Sequence, residues 1–312
     1  MQRPLPPVSP GSRHGPRAEE ATVRQLLHDQ VPHLADRPLV RGPTGWDNSH
    51  WLLDGDLAVR LPRRRSAVGL VVNEVTWLPV IAAHLPLEVP VAVHAGVPGG
   101  DWPWPWSVVP WLDGERSDLA RPPADVGAHA AALGGFLAAL HVPAPDEAPH
   151  NPYRSIPLAE RAARTTAALE VLAGRAAGTD LVGADDVEVL RVAWQQGLEA
   201  PAHDGPRTWI HGDLHPGNQL VAGGRLVAVV DWGDVAGGDP AADLATAWWT
   251  LPVAAHATFR TAYGGIDDAA WRRGMAWAAA IAAYLLKEGP GAGDASLVAL
   301  GRRTVARLRT VL

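Results

Sequence analysis

Hydrophobic periodicity changes character once along this chain, near Asp113, and that change limits the folds open to it. Before Asp113, short apolar runs alternate with the period of two that belongs to half-buried strands: Leu39 to Arg41, Ser49 to Leu53 and Leu57 to Leu61. Asp54-Gly55-Asp56 between the last two suits a tight hairpin. Val89 to Ala95 and Trp106 to Trp111 add two more strands. One helix, about Ala21 to Leu34, precedes the strands and must end or kink at Pro32; another, about Gly69 to His84, is interrupted by Pro79. After Asp113 the spacing becomes helical, over about 124–141, 158–173, 185–198, 240–249, 255–263, 267–287 and 295–312. Short strands break this series between Thr208 and Asp231, with Gly223-Gly224 closing a hairpin. The class is therefore α+β: a small five-stranded antiparallel sheet with one main helix, then a larger, mainly helical part.

Composition narrows the function. With 312 residues and 47% hydrophobic content, a substantial core is available. A net charge of -6 lacks the basic surplus that a nucleic-acid backbone requires, so no nucleic-acid partner is expected. Cysteine is absent, which excludes thiol nucleophiles and thiolate metal sites and fits a reducing compartment, the cytoplasm. Residues 1–18, rich in Pro, Gly and Arg, read as a disordered tail without the apolar stretch of a secretory signal. The longest apolar run, Gly274 to Leu286, is too short for a bilayer span and reads as a buried helix, so no membrane partner is expected.

The densest chemistry lies in His211-Gly212-Asp213-Leu214-His215-Pro216-Gly217-Asn218, followed after the hairpin by Asp231-Trp232-Gly233-Asp234. An Asp with an Asn five residues on supplies two oxygens from one loop, and a second Asp follows at the hairpin's end. Phosphoryl transfer needs such a set: one carboxylate toward an acceptor hydroxyl, and an Asn and an Asp for the magnesium that bridges nucleotide phosphates.

These stretches resemble the H-G-D-x-x-x-x-N and D-x-G motifs of the aminoglycoside phosphotransferase and choline kinase-like family, relatives of the protein kinases. The resemblance implies a bilobal protein kinase-like fold, with a nucleotide-binding lobe over 19–112 and a helical lobe over 113–312 carrying the catalytic loop and acceptor site. It makes Asp213 the catalytic base, His211 the residue that braces the loop, and Asn218 and Asp231 the Mg2+ ligands. Gly42 to Asn48 is similar to the family's nucleotide-binding loop, which brings in Gly45 and Asn48. Arg60 stands on the strand where kinases place a lysine against the phosphates, and Glu74 matches its ion-pair partner. Lys287 is the only lysine in the chain, so Arg60 departs from the pattern and must carry that role, which a bidentate guanidinium can do. Trp104 to Gly114 resembles the last strand and hinge of the first lobe, where Val109 and Trp111 would offer backbone to the base of ATP or GTP.

For several residues plainer readings stand beside functional ones. Asp239 and Asp243 open a helix and read as caps. Asp234 lines the acceptor site or caps a turn, and His215 packs the loop. Most tryptophans read as core, while acidic residues such as Asp113, Glu115 and Glu288 could meet a cationic acceptor. The expected function is a Mg2+-dependent small-molecule kinase acting as monomer or homodimer. Its acceptor would be an aminoglycoside or related antibiotic, or else a sugar, choline or an amino alcohol. Arg60 to Arg63 and Pro103 to Val108 resemble antibiotic kinase-like bacterial sequences and favour the first. Two other classes stay open: a metal-dependent hydrolase using His211-x-Asp213-x-His215, and a nucleotide-binding regulator without turnover.

Overall fold

A computed structural model describes residues 15–120, 125–176, 182–292 and 295–312. They form two compact units. One holds the described residues up to Ala83, with Glu88–Asp113 and Val230–Gly233; the other holds His84–Leu87, Gly114–Val229 and Asp234–Leu312. The tail expected over residues 1–18 lies outside the described residues as far as 14. From there the Gly15 N–H donates to the Arg63 carbonyl at 2.8 Å, and Ala18 is buried.

In the first unit, α1 (Glu20–Gln30) is followed by β1 (Leu39–Thr44), β2 (Asn48–Leu53), β3 (Leu57–Pro62), α2 (Arg65–Ala82), β4 (His94–Gly96) and β5 (Trp106–Pro110). The five strands make one antiparallel sheet in the order β1-β2-β3-β5-β4. At the β2–β3 hairpin Asp54 and Gly55 both take positive φ, 56° and 85°, a conformation these two residue types tolerate best. Val23, Leu26 and Leu27 of α1 are buried in one cluster with Leu53, Val59, Leu61, Trp106 and Val108 of the sheet. The helix expected from Gly69 begins earlier, at Arg65, and runs through Pro79. Pro79 is exposed, so water can serve the carbonyl it leaves without a donor. The strand expected from Val89 shortens to His94–Gly96, because Val91 N–H turns back onto the Val89 carbonyl and Pro90 has no donor for the ladder.

The second unit runs β6 (Glu115–Arg116), α3 (Val126–Leu140), α4 (Ala162–Ala176), α5 (Ala184–Glu199), β7 (Thr208–Ile210), β8 (Gln219–Ala222), β9 (Arg225–Val229), β10 (Ala236–Gly238), α6 (Ala241–Leu244), α7 (Thr246–Thr250), α8 (His256–Tyr263), α9 (Asp268–Ala292) and α10 (Ala295–Arg309). The sheets are small, β6-β8-β9 and β10-β7. The apolar run of α9 is buried as its composition requires, and α4, α5, α6 and α10 pack around it. At Gly197 of α5 an added Cβ would fall 2.1 Å from the Ala276 side chain, so the closeness of α5 to α9 depends on that glycine. Among the described residues no helix is long and apolar enough to cross a membrane. The α+β architecture is the one the periodicity indicates.

Candidate active site

β7 delivers the chain into the loop 211–215, and a 3-10 turn, Pro216–Asn218, leads out of it into β8. The loop is cross-braced by its own groups. Asp213 N–H donates to His211 Nδ1 at 3.2 Å, while the Asp213 carbonyl accepts from His215 N–H at 2.8 Å and from Asn218 Nδ2 at 2.9 Å. That bond engages Asn218 Nδ2, and its Oδ1 is the kind of oxygen a hard cation takes. His211 is fully buried, in keeping with a bracing role.

The Asp213 side chain keeps 28% of its exposure. Its Oδ1 accepts from Arg154 Nη2 at 2.9 Å, and its Oδ2 lies 3.7 Å from His215 Nε2. Burial pushes this carboxyl up, but the Arg154 guanidinium, then His215 and His211, outweigh burial and hold it below the ordinary carboxylate value. Asp213 is therefore anionic at neutral pH, a carboxylate able to accept a hydrogen bond from a hydroxyl.

Two residues that the motifs do not announce hold this loop. Asp243, read from sequence as a cap, is buried at 1% exposure and accepts the main-chain N–H groups of His211 and Gly212 at 2.6 and 2.8 Å. Asp239 does cap: it accepts from Ala241 N–H at 3.0 Å and also binds Arg273 at 2.8 Å. The signal for Asp243 was a carboxylate inside the apolar run Ala241 to Trp249, where a charge must find partners. Arg154 carries no motif at all. Asp234 accepts from Asn151 Nδ2 at 2.6 Å. Glu288 pairs with Lys287 at 2.9 Å on α9, a contact that does not reach the loop.

In the first unit, Arg60 on β3 is opposite His50 and Ser107 in register. Its Nη1 bonds the Glu74 carboxylate of α2, and its Nη2 lies 3.6 Å from Asp231 Oδ1. Burial works against the Arg60 charge, yet Glu74 and Asp231 more than offset it and raise the guanidinium above its ordinary value. Asp231 itself takes a positive φ of 65° and stays half-exposed. In the segment Gly42 to Asn48, the Gly45 N–H donates to the Asn48 carbonyl at 2.9 Å, and Arg63 Nη1 donates to the Gly45 carbonyl at 2.7 Å. The Asn48 side chain is buried with Oδ1 lacking a partner. Val109 is buried opposite Ala58, and Trp111 N–H donates to the Asp56 carbonyl at 2.8 Å, so that donor is already engaged. His50 Nδ1 lies 3.0 Å from the Pro43 carbonyl, and burial, then Arg60, depress its imidazole to about 4.

Among the described residues no group of three or more His, Asp or Glu side chains gathers as a metal-binding set. His211 Nδ1 and His215 Nδ1 both accept backbone N–H groups, from Asp213 and Gly217.

The protein-family model for the phosphotransferase enzyme family, APH, matches residues 39–277. No curated protein matches the sequence. Among solved structures, the GDP complex of wild-type aminoglycoside 2'-phosphotransferase-IIIa aligns with a TM-score of 0.68 at 20% identity, covering 94% of this chain and 99% of that one. A macrolide 2'-phosphotransferase apoenzyme from Brachybacterium faecium aligns with a TM-score of 0.57 at 22% identity over 91% and 97% of the two chains. The streptomycin–ATP ternary complex of APH(2")-IIa aligns with a TM-score of 0.61 at 15% identity, over 91% and 95%. At these identities the likeness is one of fold. The family match spans well over half of the chain, with the braced Asp213–Asn218 loop inside it, and the chain therefore belongs to the phosphotransferase enzyme family.

Proposed function

We propose that this phosphotransferase moves the γ-phosphoryl group of ATP or GTP to a hydroxyl of a small molecule, with Asp213 as the residue that receives the hydroxyl. The observation that carries the reading is the pairing of Asp213 and Asn218 on one loop, the amide nitrogen of Asn218 held by the Asp213 carbonyl. Asn218 and Asp231 are the oxygens assigned to Mg2+, and the metal, when bound, would offset charge on the phosphates. Arg60, fixed by Glu74, is assigned to the nucleotide phosphates. In the transfer the acceptor oxygen bonds to the γ-phosphorus, the bond to the β–γ bridging oxygen breaks, the nucleoside diphosphate leaves, and the hydroxyl proton passes to Asp213. A hydrolase using His211 and His215 finds no support, since Nδ1 of each accepts a backbone N–H and the neutral ring then carries its proton on Nε2, leaving no lone pair for zinc.

For the acceptor, the names of the structural neighbours support an antibiotic, aminoglycoside or macrolide. Arg154, which binds Asp213, has Arg161 and Arg164 beside it: Arg161 donates to the Tyr153 carbonyl and Arg164 lies 4.6 Å over the Tyr153 ring. Burial, then Arg154 and Arg164, lower the Arg161 guanidinium to about 9.

The test is Mg2+-dependent consumption of ATP and GTP across aminoglycosides, macrolides, sugars and amino alcohols, with Asp213→Asn in parallel. Acceptor-stimulated turnover that drops about 100-fold or more in the variant supports the reading. Nucleotide binding with no acceptor-stimulated turnover, and identical behaviour of the variant, would replace it with a regulator that binds nucleotide without transferring phosphate.

A further inference from the structure

The residue that holds Asp213 arrives from outside every recognisable motif, on the turn Asn151 to Ser155. That turn is closed by its own side chains. Asn151 Oδ1 accepts from the N–H groups of Tyr153 and Arg154 at 2.9 and 3.1 Å, and Ser155 Oγ accepts from Asn151 N–H at 2.7 Å. Asn151 is 7% exposed and spends its remaining donor on Asp234, at 2.6 Å to Oδ1. At Gly212 the three segments meet: a Cβ there would lie 2.7 Å from the Asp234 carbonyl oxygen and 3.4 Å from Arg154 Cβ. The contacts thus form a chain, Asp234 to Asn151, Asn151 to the Arg154 backbone, and Arg154 Nη2 to Asp213 Oδ1.

We infer that Arg154 is a positioning residue for Asp213, and that Asp234 acts through Asn151 to place it. With Oδ1 held by the guanidinium, Oδ2 is the oxygen left for the acceptor, and the carboxylate cannot rotate without breaking a charge-assisted bond. Asp234, which sequence alone leaves between acceptor binding and a turn cap, serves the base at one remove. The inference rests on Asp213 being the residue that receives the hydroxyl.

The measurement is single-turnover transfer from γ-labelled MgATP, first to water and then to whichever aminoglycoside, macrolide, sugar or amino alcohol stimulates turnover. Arg154→Ala should lower the rate about 10- to 100-fold, the cost of a misplaced reacting group, while the MgATP concentration giving half the maximal rate stays within about twofold. Millimolar methylguanidinium should restore part of the rate to Arg154→Ala and none to Asp213→Asn. Asn151→Ala should slow transfer in the wild-type background and add nothing in the Arg154→Ala background, since both act on one contact. Should Arg154→Ala fail to fold, Arg154→Lys and Arg154→Met replace it, with lysine retaining more rate than methionine. A rate for the Arg154 variants within twofold of wild type, or fully additive losses with Asn151→Ala, would overturn the inference. If Asp213→Asn also turns over like wild type, the assignment of the base falls with it; if only the Arg154 variants do, the base stands and Arg154 is a structural ion pair.

Discussion

Asp243 accepts the main-chain N–H of His211 at 2.6 Å from a position almost closed to solvent, and the sequence separation between them is 32 residues. The same carboxylate takes the Gly212 N–H at 2.8 Å, and His141 Nε2 lies 3.4 Å away with its other nitrogen on the Tyr263 hydroxyl. A single side chain thus sets the entry of the loop that carries Asp213. Asp243→Ala leaves two buried amides without an acceptor and should cost about 3 kcal/mol of stability, at roughly 1–3 kcal/mol for each buried group left unpaired. Urea denaturation measures this, and Asp243→Asn, which keeps one acceptor, should fall between the two. A loss under about 1 kcal/mol for the alanine variant would mean that water replaces the carboxylate.

The loop's second constraint is conformational. Gly212 has φ of 83°, and the 2.7 Å approach of the Asp234 carbonyl leaves no room for a side chain. Gly212→Ala should therefore destabilise the protein by about 1–3 kcal/mol and slow transfer by displacing Asp213, with nucleotide affinity preserved. Thermal denaturation and a nucleotide titration separate the two effects. Equal losses of affinity and rate would place the damage beyond the loop.

What was legible in the sequence was local. The strands of the sheet, the buried α9 and the Asp213–Asn218 spacing all express themselves within about one element, where periodicity and motif act. What was hidden depends on long reach. Arg154 meets Asp213 across 59 residues, and nothing near Arg154 marks it for that partner. Asp243 sits where a helix cap is ordinary, and the apolar run around it signals burial without naming the amides it holds. β6 and β10, two and three residues long, are too short to show a period, and β4 lost its first half to a turn at Pro90.

His50 supplies a pH dependence in the sheet unit. Its imidazole is depressed to about 4 by burial and by Arg60, against an unfolded value near 6.5, so the unfolded chain takes up a proton that the folded protein refuses. Stability is fully present above pH 6.5 and is lost as pH falls toward 4. Between pH 7 and pH 5 the loss from this one group should be about 1–2 kcal/mol, after allowance for partial exposure. His50→Asn should flatten the stability profile over that interval. An unchanged profile would show that other groups set the acid limb.

Arg60 offers the sharpest contrast between structure and recruitment. Its side chain is 8% exposed and that of Glu74 5%, so the pair is buried on both sides. Arg60→Ala takes the guanidinium away from the buried Glu74 carboxylate, a loss of about 3–5 kcal/mol. Arg60→Ala combined with Glu74→Ala should recover part of that loss, because the buried carboxylate is gone with its partner. Arg60→Lys keeps the charge and shortens the reach, and with one ammonium in place of a fork it cannot serve Glu74 and Asp231 in the present geometry. The lysine variant should fold, lose about 1–2 kcal/mol, and raise the KM for MgATP more than it lowers kcat, since phosphate binding depends on where the cation ends. Denaturation of all three variants and steady-state kinetics of the lysine variant make the test. If Arg60→Ala folds with wild-type stability, the pair contributes nothing to the unit; if Arg60→Lys leaves KM unchanged while stability drops, Arg60 is a structural cation and the phosphates are held elsewhere.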